Sequence, residues 1–299
     1  MTIAFHTRYV PVGALSYAVR EAGPPDAIPV FLLHGLMDTG ASFDALAQAM
    51  DKRRPGHFRF IAPDWRGHGD TGALADTYWF PEYLVDLERL IVDCVPERDR
   101  AVVLVGHSMG GQVASQYAGV RPTRVSHLIT LDSLNVPDAD PADTPSRYRR
   151  WLDAKQRPPQ ERVYDDVEAI AARIGKRYPE LSEAQRLALA SQWSSPVSAV
   201  DARRRMRHDV WHRVTFPYGF RLDEAMALWR SVEARVLCLD AADSFMRWIS
   251  DAQEMARRRA CFADVTHAVI PACGHMLHIE QPDRIADQID TFLAARGSG

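Results

Sequence analysis

The 299-residue sequence is poor in several features that would assign it to a particular class. It has four cysteines, Cys94, Cys238, Cys261 and Cys273, widely spaced and without a C-x-x-C pair. A disulfide framework is therefore not expected, and reduced thiols in a cytoplasmic protein are. No run of eighteen apolar residues occurs, and the stretch from Met1 to Val10 holds His6 and Arg8 but no apolar segment of signal-peptide length. Membrane spanning and secretion are not expected. Excess charge is missing too, since 36 Lys and Arg against 39 Asp and Glu leave a net charge of -3, which offers no electrostatic footprint for nucleic acid. The histidines and carboxylates show no H-E-x-x-H or comparable spacing, so a metal site is not expected.

Present instead is an ordinary globular composition, 46% hydrophobic and 25% charged, which can bury a large core. Short apolar runs at Val30 to Leu33, Phe58 to Ala62, Val102 to Val105, His127 to Leu131, Val236 to Leu239 and Val265 to Ile270 read as strands buried on both faces. Amphipathic stretches of helical length, such as Tyr83 to Cys94, Met109 to Val120 and Pro282 to Ala295, lie between most of them. This alternation implies an α/β fold, a mostly parallel sheet covered by helices, with ligands bound beyond the carboxyl ends of the strands. From Asn135 to Arg230 the alternation stops. Residues 135–230 are therefore read as an inserted helical cap, with 1–134 and 231–299 forming the core domain.

The sharpest signal is A-V-V-L-V-G-H-S-M-G-G from Ala101 to Gly111, where a strand runs through G-x-S-x-G into a helix. A nucleophile on such a turn takes strained backbone angles, and Gly106 and Gly110 let strand and helix approach closely. The Ser108 hydroxyl is thereby pushed clear of the sheet, and the Met109 amide at the helix start can donate to a developing oxyanion. His107 diverges from Ser108 on so tight a turn and is read as a packed residue. The strand ending at His34-Gly35 supplies the second oxyanion donor, for which the Leu36 amide is the best placed. His34 is read as a brace for that loop, and Asp64, Arg66 and His68 as a self-bonded turn.

His275, in a loop between a strand and the helix opened by Pro282, is the candidate general base, and serine chemistry with such a base needs no cofactor. His267 and His278 lie within regular structure and are read as packing residues. The orienting carboxylate should follow another strand. Spacing favours Asp243, further into the loop after Val236 to Leu239, with Asp132 and Asp240 as alternatives; each keeps the chain order Ser, Asp, His.

The segment from Pro137 to Arg230 carries 17 Lys and Arg against 14 Asp and Glu. Its basic run, Arg203, Arg204, Arg205 and Arg207, is a candidate for attracting an anionic or carrier-protein-linked acyl group, against the plainer reading of a solvated face. Trp151 and Trp211 are candidate apolar walls for an acyl chain.

Together H-G at His34 and Gly35, D-W-R-G-H-G from Asp64, G-H-S-M-G-G from Gly106 and G-H-M-L-H-I-E-Q-P from Gly274 resemble the α/β-hydrolase superfamily, in particular its capped serine esterases and the serine hydrolase-like proteins. The resemblance covers Val30 to Gln112 and Ala234 to Leu293. It implies an eight-stranded, mostly parallel sheet with the cap inserted after the sixth strand, and a carboxylic ester or thioester of a small molecule as substrate. Where the family has a glycine shortly after the seventh strand, this chain has Asp240, Ala241 and Ala242, so the acid stays open. Serine at the elbow excludes the epoxide hydrolases and haloalkane dehalogenases, which use aspartate there. C–C bond hydrolases, lactonases, cofactor-free haloperoxidases and a non-catalytic ligand receptor on the same fold are alternatives.

Overall fold

A computed structural model describes residues 3–73, 78–214, 216–248 and 251–295. Its main sheet contains β1 (His6–Val12), β2 (Leu15–Ala22), β3 (Ile28–Leu33), β4 (Phe58–Pro63), β5 (Val102–His107) and β6 (Val125–Leu131). Three short strands, β7 (Val163–Tyr164), β8 (Ser194–Pro196) and β9 (Arg204–Met206), form a separate small sheet. The main sheet is completed by β10 (Arg235–Ala241) and β11 (Val265–Ile270), in the order β1-β2-β4-β3-β5-β6-β10-β11. Only β2 runs against its neighbours, and the six strands from β4 to β11 are mutually parallel.

Side-chain alternation divides the core between the two faces of this sheet. Phe31 and Leu33 of β3 point to one face with Leu104, where they meet α2 (Phe80–Cys94) and α3 (Met109–Val120). Val30 and Leu32 point to the other with Val103 and Val105, against α1 (Asp44–Arg53) and the C-terminal helix Pro282–Ala294. Burying both faces requires near-continuous apolar strands, which is why the runs in β3 to β6 and β10 stand out in the sequence; β11, read from its apolar run as doubly buried, is instead the far edge strand, with Thr266, His267 and Val269 exposed. The hairpin β1–β2 does not: β1 is half solvated, with exposed residues alternating with Val10 and Val12.

The segment 135–230 is mixed rather than purely helical. It contains α4 (Thr144–Gln156), α5 (Val167–Arg177), α6 (Glu183–Gln192) and the β7-β9-β8 sheet. Its own core of Tyr164, Ile170, Ile174, Leu181, Leu189 and Trp193 closes over Met276 from the main domain. The next helix, α7 (Leu222–Trp229), falls inside 135–230 yet packs as part of the main layer. Its Trp229 is fully buried in the α2/α3 cluster and donates from Nε1 to Ser115 Oγ at 3.0 Å. The chain then adds α8 (Ala252–Arg259), whose Met255 joins the α2/α3 cluster, and completes the opposite layer with the short α9 (Leu277–Glu280) and α10 (Pro282–Ala294). Among the described residues no helix is long and apolar enough to cross a membrane.

Candidate active site

At the end of β5 the chain turns through Ser108 at φ 49°, ψ -117°, a conformation that costs an L-residue free energy and persists only where packing enforces it. Three glycines do so. A Cβ on Gly106 would lie 2.5 Å from the Gly110 carbonyl oxygen, and one on Gly110 would lie 2.0 Å from the Leu33 oxygen. A Cβ on Gly35 would approach His107 Nδ1 to 2.9 Å and Ser108 Cβ to 3.2 Å, so the loop after β3 lies directly against the elbow.

That loop and the start of α3 present two free donors. Neither the Leu36 nor the Met109 amide makes a hydrogen bond among the described residues, whereas the Met37 amide donates to His68 Nε2 at 3.1 Å. His34 Nε2 accepts from the Trp65 amide at 2.8 Å while its Nδ1 faces the Gly35 oxygen at 2.7 Å. His34 and His68 therefore tie the loop carrying Leu36 to the Trp65–Gly69 turn. Burial pushes His34 down to about 3 and His68 well below its ordinary value, so both stay neutral and can accept these bonds. The Asp64 carboxylate closes the turn by accepting from the Gly40 and Asp70 amides at 2.8 and 2.9 Å.

His275 lies in the loop between β11 and α9, 5% exposed. Glu280 accepts from the Gly274 and Met276 amides at 2.6 and 3.1 Å, clamping the backbone on either side of the histidine. The His275 carbonyl faces His107 Nε2 at 2.9 Å, and the two rings lie 4.6 Å apart, which brings His275 beside the residue preceding Ser108.

The carboxylate that meets His275 is not the one spacing favours. His275 Nδ1 is hydrogen-bonded to Asp132 Oδ2 at 2.6 Å, with Asp132 1% exposed. Asp132 sits immediately after β6 at φ 48°, and the Ser244 hydroxyl donates to the same carboxylate oxygen. Asp243, favoured by spacing, is exposed, and its amide rather than its side chain meets the β11 loop, donating to the Cys273 carbonyl at 2.9 Å. Asp240 is directed elsewhere, to Arg259 at 3.1 Å and His267 at 2.9 Å. The reason is sheet order: β6 lies between β5 and β10, so the carboxyl end of β6 is adjacent to the elbow while the turn after β10 is one strand further out.

The cap residues singled out in the sequence are also placed differently. Arg203 pairs with Asp201 at 2.6 Å, Arg204 donates to the Ser194 carbonyl at 2.9 Å, and Arg207 pairs with Asp70 across the cap-core seam. Arg205 is exposed on β9. Regular pairing of β9 with β7 and β8 spreads this run over two faces, so it does not form a basic patch at the base. Trp151 and Trp211 flank Lys155, whose Nζ lies 5.7 and 4.8 Å from their ring centres. The rings that cover His275 are instead Phe245 at 4.9 Å and Tyr178 at 6.4 Å, the latter nearly parallel to it. Nothing in their local spacing marks Phe245, Tyr178 or Ser244 in the sequence.

One cluster could ligate a metal: Asp38, His107 and His278 bring one candidate atom each within 4.8 Å of one another, all buried. The Asp38 carboxylate is already engaged, accepting from the Thr39 amide at 2.8 Å, Ser42 Oγ at 2.8 Å and Trp193 Nε1 at 2.7 Å, and an ion would have to displace these donors. Burial raises Asp38 to about 7 and lowers His278 to about 3.

A strained serine, a buried carboxylate–imidazole pair and two unpaired amides converge at the carboxyl ends of β3, β5 and β6. The family model of the alpha/beta hydrolases matches residues 30–288. The chain is 30% identical to the 3-hydroxybutyrate-oligomer hydrolase of Cupriavidus necator, over 95% of each chain. It is 25% identical to a serine hydrolase-like protein of Danio rerio, covering 91% of this chain and 83% of that one. Among solved structures, the thioesterase domain from the curacin biosynthetic pathway superposes with a TM-score of 0.81 at 22% identity, covering 96% of this chain and 99% of that domain. Strand order, elbow and family match agree, and the chain is a hydrolase belonging to the alpha/beta hydrolase family.

Proposed function

We propose that this hydrolase is a carboxylic ester hydrolase acting through an acyl-enzyme, with Ser108 as nucleophile, His275 as general base and Asp132 as the orienting acid. The observation that carries the reading is the 2.6 Å contact of His275 Nδ1 with Asp132, made beside a serine held at positive φ. A carboxylate can only accept in that bond, so Nδ1 carries the proton and Nε2 keeps the lone pair that receives the Ser108 proton. The alkoxide attacks the ester carbonyl, and the Leu36 and Met109 amides donate to the oxyanion. The protonated imidazole then returns its proton to the departing alcohol. Water activated by His275 cleaves the acyl-enzyme through a second oxyanion. The lipase LipV of Mycobacterium tuberculosis, 27% identical over 93% of this chain, is a relative consistent with ester chemistry. The substrate is a small-molecule ester, and the four free cysteines fit a cytoplasmic setting.

A fluorophosphonate probe tests the assignment. Expected is stoichiometric labelling at Ser108, with Ser108→Ala losing both labelling and turnover of p-nitrophenyl esters while keeping its circular dichroism. Undiminished ester hydrolysis by a clean Ser108→Ala preparation refutes it.

A further inference from the structure

The cap run Arg203 to Arg207 is spent on ion pairs and strand pairing, but another cap cation stands at the base. Arg177 ends α5, and its guanidinium carbon lies 3.6 Å from the centre of the Phe245 ring. Phe245 is in turn 4.9 Å from the His275 ring, and Tyr178, the next residue after Arg177, stacks over that same imidazole. Two ring contacts therefore connect the guanidinium to the catalytic base.

Helix geometry explains part of this. A cation in the last turn of α5 complements its terminal carbonyls, and Lys176 beside it can do the same. That does not account for a guanidinium whose carbon sits 3.6 Å over the Phe245 ring. Stacking uses the face of the planar group; one of its five donors meets the Tyr178 side chain, whose ring lies 6.0 Å away, and the others remain to match a carboxylate. Among the described residues Arg177 forms no ion pair with an acidic side chain, although Glu180 lies nearby against Gly274. An exposed cation–π contact is worth only about 0.5–1 kcal/mol, so the Phe245 and Tyr178 contacts orient the guanidinium without neutralising its charge.

We propose that Arg177 is a specificity residue that binds a carboxylate carried on the acyl part of the substrate, making monoesters of dicarboxylic acids the preferred class. This rests on the ester-hydrolase reading of Ser108. In this proposal the acyl chain runs from the Ser108 elbow past His275 to the guanidinium that Phe245 and Tyr178 hold beside the imidazole.

The test compares kcat/KM for mono-p-nitrophenyl glutarate and p-nitrophenyl butyrate in the native protein, Arg177→Met and Arg177→Lys. The native protein should prefer the glutarate ester, and Arg177→Met should lower the glutarate-to-butyrate ratio by about 10- to 100-fold, the range for losing a charged hydrogen-bonded partner. The loss should fall mainly on KM. Arg177→Lys should recover part of the ratio, since it keeps the charge but not the fork. Raising ionic strength should narrow the native ratio. A ratio unchanged by Arg177→Met overturns the proposal. Calorimetric binding of monomethyl glutarate to Ser108→Ala, with and without Arg177→Met, makes the same comparison without turnover. Failure of the Ser108 reading thus shows as unlabelled serine and persistent turnover, and failure of the Arg177 assignment as equal affinities.

Discussion

Asp132→Asn changes one buried oxygen to an amide nitrogen with almost no change in volume. Asn also tolerates the left-handed backbone that Asp132 adopts at φ 48°, so the variant keeps the local fold where Ala would add strain. What it loses is the acceptor for two donors, since Oδ2 receives both His275 Nδ1 and the Ser244 hydroxyl. If the amide nitrogen takes that place, a donor faces His275 Nδ1, and the ring is driven to the tautomer whose Nε2 carries the proton and cannot act as base. If the oxygen takes it, the imidazolium formed during attack has no countercharge. The expected loss is about 10⁴ in kcat. That corresponds to about 5 kcal/mol of transition-state stabilisation. KM should move little, because Asp132 touches the base and not the substrate. Asp243→Asn, whose carboxylate is exposed, should change kcat by no more than a few-fold, and Ser244→Ala should fall between the two. Steady-state kinetics on p-nitrophenyl butyrate, with folding checked by circular dichroism, decides. An active Asp132→Asn beside a dead Asp243→Asn would refute the assignment.

Gly110→Ala places a methyl group 2.0 Å from the Leu33 oxygen, backbone against backbone, and should destabilise by at least about 1–3 kcal/mol in urea unfolding, more than an alanine at Gly72, whose nearest neighbour is a side-chain atom at 3.6 Å. His68→Ala orphans the Met37 amide and loosens the Leu36 loop, so kcat should fall more than KM rises; unchanged kcat would separate His68 from the oxyanion donors. Burial lowers His208 and His212, at the cap-core seam, from 6.5 to about 4. Folded-state values below the unfolded ones mean that their stabilisation is complete above pH 6.5 and disappears as pH falls through about 4, at up to about 1.4 kcal/mol per pH unit for each histidine. The thermal midpoint should therefore drop between pH 6.5 and 4.5, and a His208→Gln/His212→Gln variant should show a shallower drop; identical slopes would refute the linkage.

The settings of Ser108, His275 and the Leu36 and Met109 amides were legible in the sequence because each depends on local structure: a strand entering a glycine-flanked turn, a histidine clamped by a glutamate five residues on, a loop needing Gly35. The doubly buried strands were legible for the same reason, as continuous apolar runs, whereas β1 and β2 lack such runs because one edge of their hairpin faces water. Choosing among Asp132, Asp240 and Asp243 was not a local matter. All three follow an apolar strand, and only the lateral order β5-β6-β10 decides which carboxylate meets an imidazole arriving from the far side of β10. The same holds for charge. Counting arginines points to Arg203 to Arg207, but strand pairing and ion pairs consume that run, while Arg177, a single residue at the end of a helix, is carried to the base by the packing of the cap over Met276. Local sequence determines which groups are chemically competent, and tertiary packing decides which of them meet, because the distances that matter are set between strands and layers rather than along the chain.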